Sequence, residues 1–201
     1  MSSSRHPVVV AAIFAGAAAL ILAGLMFGPG RGSSRSQGSS ITPSVVRAGQ
    51  DRSGLRHHMG RGKIALDAKV STADSRGDVF LWEILVSGKT GPGRHVHYDQ
   101  DEWFYVLEGE YVAEAGDQRF FLKPGDSILL PRGVPHAYAH LSEGNGKMMG
   151  AVLPAGSFEQ FLEDFRQAGS KPTPEQTQQL FRKHGMKEVG PPIDVSNIKR
   201  D

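Results

Sequence analysis

Cysteine is absent from the 201 residues, which excludes disulfides, thiolate metal sites and cysteine nucleophiles together. Acidic residues are nearly missing from the first third of the chain. Residues 1–63 hold eight of the 23 basic side chains but only Asp51 of the 21 acidic ones. The remainder is therefore five charges negative, although the whole chain carries +2. The part that can fold lacks the broad basic face that nucleic acid requires, and the pI near 8.9 belongs to the tail. Nucleic acid is not expected as a partner.

Charge is lacking altogether from Val8–Phe27, twenty residues dominated by Ala, Val, Leu and Ile. At a rise of about 1.5 Å per residue this makes ~30 Å of helix, enough to cross a bilayer. Ala17-Ala18-Ala19 sits in mid-run and Gly28-Pro29-Gly30 is a poor cleavage site. Residues 1–30 are read as a signal anchor, with a cleaved signal peptide as the first alternative and a buried soluble helix as the second. The expectation is an exported protein, membrane-anchored through residues 8–27, or secreted or periplasmic if the segment is cut. Gly28–Gly62 has few large apolar residues and no sustained period, so 31–62 reads as a flexible linker. His57-His58 within it reads as a surface pair.

From Lys63 the texture becomes β-like. Val79–Val86 is rich in aromatic and branched residues, and Trp103–Leu107, Tyr111–Ala115, Arg119–Leu122, Ser127–Leu130 and His136–His140 follow at short intervals. Gly109, Gly116-Asp117, Pro124-Gly125 and Arg132-Gly133 separate them. Such spacing predicts an all-β sandwich or barrel over 63–154. Residues 155–201 form a helical extension with two short helices. Ser157 and Gln160 open the first, which carries Phe158, Phe161, Leu162 and Phe165 at helical spacing. Thr173, Pro174 and Gln176 open the second, which runs to Arg182-Lys183-His184 and stops at Gly185. The phenylalanine stripe reads first as a packing face against the barrel. A homodimer contact or a lid over the barrel mouth are its alternatives.

His95-Val96-His97 carries the chemistry. Residues two apart on a strand share a face, so both imidazoles point one way. Glu102 follows after a polar segment that can turn the chain back. Gly125-x5-Pro131-x-Gly133-x2-His136 then brings a third histidine at the start of a strand.

Here the sequence resembles the cupin superfamily, whose motifs are G-x5-HxH-x3,4-E-x6-G and G-x5-PxG-x2-H-x3-N. The first reads His95-x-His97-x4-Glu102-x6-Gly109, with its leading glycine off register because Lys89 stands there. The second matches from Gly125 to His136, but His140 replaces the usual Asn. The resemblance implies a jelly-roll barrel over Asp78–Pro154 in which His95, His97, Glu102 and His136 hold one metal. Three imidazoles and one carboxylate suit a divalent first-row ion (Fe, Mn, Ni, Cu, Co or Zn), whereas calcium would want more oxygen ligands. A satisfied polar cluster without metal is the alternative reading.

His136, Tyr138 and His140 alternate along one strand. His140 is expected to line the pocket near one end without binding the ion, because its Cα lies about 13 Å from that of His136 at ~3.3 Å per residue. Tyr138, Phe104 and Trp82 are expected pocket walls, with plain core packing as the alternative. Glu83 falls out of phase with Trp82 and is assigned to solvent.

The resemblance is nearest to small quercetin-dioxygenase-like cupins, which also end in a Phe-rich helix, a second helix and a Gly-Pro-Pro segment, here Gly190-Pro191-Pro192. It implies a metal-dependent oxygenase acting on a small aromatic or enol-bearing compound, with Glu102 as general base. The alternatives are a non-catalytic module holding a small ligand or metal at the cell surface, and a metal-dependent isomerase or lyase.

Overall fold

A computed structural model describes residues 42–169 and 171–198. Its strands are β1 (His57–Met59), β2 (Ile64–Val70), β3 (Phe80–Ser87), β4 (Gly93–His97), β5 (Asp101–Glu108) and β6 (Tyr111–Ala115). They continue as β7 (Gln118–Leu122), β8 (Ser127–Leu130), β9 (His136–His140), β10 (Asn145–Leu153) and β11 (Met186–Pro192). Helices α1 (Phe158–Gln167) and α2 (Pro174–Lys183) lie between β10 and β11. One antiparallel sheet has the order β1-β2-β3-β10-β5-β8 and the other β11-β4-β9-β6-β7. The run Val8–Phe27 lies outside the described residues. Among the described residues, no helix is long and apolar enough to cross a membrane.

Period-two burial makes these strands walls of a barrel. In β3, Phe80, Trp82, Ile84 and Val86 are buried while Leu81, Glu83 and Leu85 are only partly covered. Glu83 thus faces outward, as its phase requires. The inward residues join Phe104, Tyr138 and Met148 in one apolar core.

The linker expected over 31–62 ends early, which is a correction. His57–Met59 pairs with Leu66–Ile64, and His57 is buried rather than on the surface. The charges that made this stretch look solvated have partners on β2. Asp51 accepts from the Ala68 amide at 2.6 Å, and Arg56 forks onto buried Asp67 through two bonds of 2.7 Å. A paired charge can lie against a barrel wall at little cost, so composition alone misjudges it.

Both helices of the extension form, and the chain then returns to the barrel as β11, paired with β4, where a purely helical extension over 155–201 was expected. Thr173 and Gln176 make the full reciprocal capping box at α2. At α1, Ser157 makes no side-chain cap bond. Phe158, Phe161, Leu162 and Phe181 are buried in the barrel's own core, so the apolar stripe closes the barrel at one end.

Candidate metal centre

Each ligand-type side chain arrives by a separate piece of local logic. His95 and His97 share the inward face of β4. His136 opens β9 directly across from His95 in the antiparallel pair. Glu102 comes from β5, in the facing sheet. All four are buried, and one donor atom from each lies within 4.8 Å of the others. The ring centroids stand 4.6 Å apart for His95 and His136, 5.2 Å for His95 and His97, and 5.6 Å for His97 and His136.

The outer nitrogens fix what the inner ones can do. Nδ1 of His95 donates to the Gly93 carbonyl and Nδ1 of His136 to the Val134 carbonyl, each at 2.8 Å. Nδ1 of His97 lies 3.3 Å from Oε1 of Gln100. A carbonyl only accepts, so in His95 and His136 Nδ1 carries a proton, and Nε2 has a lone pair to offer whenever the ring is neutral. Nε2 of His97, Nε2 of His136 and Oε2 of Glu102 are buried without a well-directed hydrogen bond. The last two are 3.0 Å apart yet do not point at each other as donor and acceptor should. Unpaired buried polar atoms cost about 1–3 kcal/mol each, so this is no self-satisfied polar cluster. Converging lone pairs with nothing to accept from are what a cation requires. Three neutral nitrogens with one carboxylate fit a divalent first-row ion.

The electrostatics agree. Burial, then the neighbouring His136, pushes His95 down to about 3, and burial likewise lowers His97. Burial works against the Glu102 anion, but the imidazoles of His136 and His97 outweigh it and hold the carboxyl at about 2. Burial also opposes charge on His136, yet Glu102 beside it raises its pKa above the usual 6.5. Glu102 and His136 thus favour opposite charges, although no directed hydrogen bond joins them.

A cavity of about 50 Å³ adjoins this cluster. His95, Glu102 and Tyr138 are its polar walls, and Trp82, Phe104, Ile84 and Leu66 are among its apolar ones. Phe158, Phe161, Phe181 and Met186 close it from the helical extension and β11. Phe158 stacks on Trp82 at 4.9 Å and Phe181 meets His95 edge-on at 5.9 Å. Among the described residues, no lysine or arginine lines the space. Trp82, Phe104 and Tyr138, the expected pocket walls, line this cavity, and the phenylalanine stripe, read first as a packing face against the barrel, roofs it. That stripe was the available signal for the roof.

His140 requires a correction. It lies outside both the donor cluster and the cavity wall. Its ring is fully buried, Nδ1 donates to the Gly88 carbonyl at 3.0 Å, and the ring tilts against Tyr111 at 5.1 Å. Side chains at Gly109 or Gly146 would collide with it. It has the inward phase that alternation gave it, but at a point on β9 where the barrel interior is solidly filled.

Two facing antiparallel sheets around a buried three-histidine, one-carboxylate cluster define a cupin-type β-barrel. Residues 80–152 match the Cupin domain family, and this chain carries a cupin domain. It is 33% identical over 98 residues to quercetin 2,3-dioxygenase of Bacillus subtilis (strain 168), a match covering 48% of this chain and 27% of that protein. It is 31% identical over 65 residues to an uncharacterised protein of Methanocaldococcus jannaschii, covering 32% of this chain and 52% of the relative. The chain thus spans between about a quarter and a half of the length of these relatives. A predicted oxalate decarboxylase from Thermotoga maritima superposes with a TM-score of 0.50 at 16% identity, over 56% of this chain and 99% of that one. That likeness concerns the fold alone.

Proposed function

We propose that the barrel is a metal-dependent oxygenase for a small, uncharged aromatic or enol-bearing compound. The chemistry of the cavity wall carries this reading. An aromatic and aliphatic enclosure with one carboxylate, one phenol and no cation suits an apolar ring bearing a hydroxyl group. A phosphorylated or dicarboxylate substrate would meet no Lys or Arg to balance its charge. The likeness to quercetin 2,3-dioxygenase supports the same class.

His95, His97, Glu102 and His136 would hold the ion. A bound divalent first-row ion supplies open coordination positions together with Lewis-acid or redox chemistry. The protein's own part is to exclude water with the Phe158, Phe161 and Phe181 roof and to orient the ring between Phe104 and Trp82. Glu102 accepts the substrate hydroxyl proton. Beside His136 it is a weak base, so substrate entry must loosen that contact for the transfer to be efficient. Tyr138 stays protonated, because burial and the nearby Glu102 push its pKa well above 10. It can therefore donate a hydrogen bond to a substrate oxygen.

The size of the cavity favours a second reading. An engineered pocket that takes benzene has roughly 150 Å³, three times the volume here, so a ring enters only if the roof moves. A roof that stays shut would make the barrel a holder of the ion or of a few-atom ligand. Dioxygen consumption by the iron-loaded protein over flavonols and catechols separates the two. Uptake that needs both substrate and metal supports the oxygenase. Its absence with every metal and substrate, from a fully loaded protein, supports the holder.

A further inference from the structure

We infer that Gln100 is a positioning residue that holds His97 in the Nδ1–H form and so presents Nε2 to the metal. The inference rests on the metal reading above, but it follows from how the amide is held. Gln100 is 3% exposed. Its Nε2 donates to the Ala155 carbonyl at 2.6 Å and lies 3.3 Å from the Pro154 carbonyl. Two carbonyl oxygens at that end admit only the amino group, which fixes which way the amide points. Oε1 must then face His97 Nδ1, 3.3 Å away. An amide oxygen only accepts, so the proton of His97 sits on Nδ1.

His97 differs here from its two partners. His95 and His136 use backbone carbonyls that belong to the barrel itself, two residues before each ring. His97 relies on a side chain, and that side chain is anchored to the turn that begins the aromatic roof. Ala155 is fully buried, and its carbonyl also accepts from the Phe158 amide at 3.2 Å. Gly156, at φ +53°, leaves no room for a side chain beside the Gln100 amide. The Phe158 ring in turn lies 5.6 Å from the His97 ring. One metal ligand is therefore oriented from the roof, while the other two histidines are oriented from the walls. Partners that orient a ligating histidine in this way are commonly worth 10- to 100-fold in metal affinity.

The test uses the full-length chain, stripped of metal, and reads the His97 tautomer from ring nitrogen couplings in NMR. Zinc affinity is measured in parallel by competition with a chromogenic chelator. Wild type is expected to show His97 protonated on Nδ1. Gln100→Met keeps the volume and removes the acceptor. It should shift His97 toward the Nε2–H form and weaken zinc about tenfold, the lower end of that range, with the CD spectrum unchanged. A wild-type His97 protonated on Nε2 overturns the inference without any variant. So does an unchanged tautomer in Gln100→Met. Absence of zinc binding by wild type would remove the metal reading, while the tautomer would still decide the role of Gln100.

Discussion

Glu102 and His136 form a charged pair only while no cation lies between them, and this gives metal binding a pH dependence of known sign. The raised pKa of His136 means that its pairing stabilises the metal-free fold below about pH 6.5 and is lost as pH rises through the folded value. The depressed pKa of Glu102 stabilises the fold above its ordinary 4.5, an effect lost as pH falls through about 2. An entering ion must displace the His136 proton. Its affinity should therefore fall by about tenfold per pH unit below the folded pKa of His136. His95, already neutral down to about 3, adds no competition in that range. Chelator competition from pH 8 to 5.5 measures the slope, and a flat profile would remove His136 from the ligand set. His140 offers the contrasting case. His140→Asn should leave zinc affinity within about twofold of wild type, because its ring touches Tyr111 and not the donor cluster. Loss of metal on that substitution would place it at the centre after all.

The four donor residues were legible in the sequence because they fill both motifs of the family it resembles, strand alternation by itself placing only His95 and His97 on one face. Gln100 was not. Its role arises from the Ala155 carbonyl 55 positions away, and no periodicity encodes a contact of that range.

Among the elements, β6, β8 and β9 have the bounds that turn residues and alternation predict. The strands without a clear signal are those whose burial is decided by neighbours. Strand β10 runs Asn-Gly-Lys-Met-Met-Gly-Ala-Val-Leu, poor in branched residues, yet it pairs with β3 on one side and β5 on the other. Position between two strands overrides its weak intrinsic preference. Strand β11 contains Gly190, Pro191 and Pro192 and persists at a sheet edge, where lost ladder bonds matter least. Helix α1 belongs to the same scale, since its Phe158 sits between Trp82 and His97. Phe158→Ala should cost about 3–5 kcal/mol of stability while leaving the metal ligands intact. The space it opens should admit a benzene-sized ligand. Thermal unfolding and ligand-induced shifts in melting temperature measure both effects. A variant as stable as wild type would show that the roof is not packed on the barrel as described.

At the scale of the whole molecule, the barrel extends further toward the N-terminus than composition suggests. Asp51, Arg56 and β1 belong to it. A chain beginning at Gly62 should therefore be less stable than one beginning at Thr42, because it loses β1 and leaves buried Asp67 without Arg56. Urea unfolding of the two compares them directly, and equal midpoints would return residues 42–61 to the status of a linker. The uncharged run Val8–Phe27 carries the separate proposal of a membrane attachment. The full-length chain should partition with vesicles and the chain from Thr42 should not. Recovery of both in the soluble fraction would contradict the proposal.

The proposed chemistry and the pH dependence of metal binding both rest on an ion at the four converging donors, and elemental analysis of the purified protein tests that most directly. Wild type, offered first-row metals, should hold about one divalent ion per chain, and the His95→Ala, His97→Ala double variant should hold none while keeping the β-sheet CD spectrum of the wild type. Full occupancy in the double variant, or none in wild type under every loading condition, would contradict it.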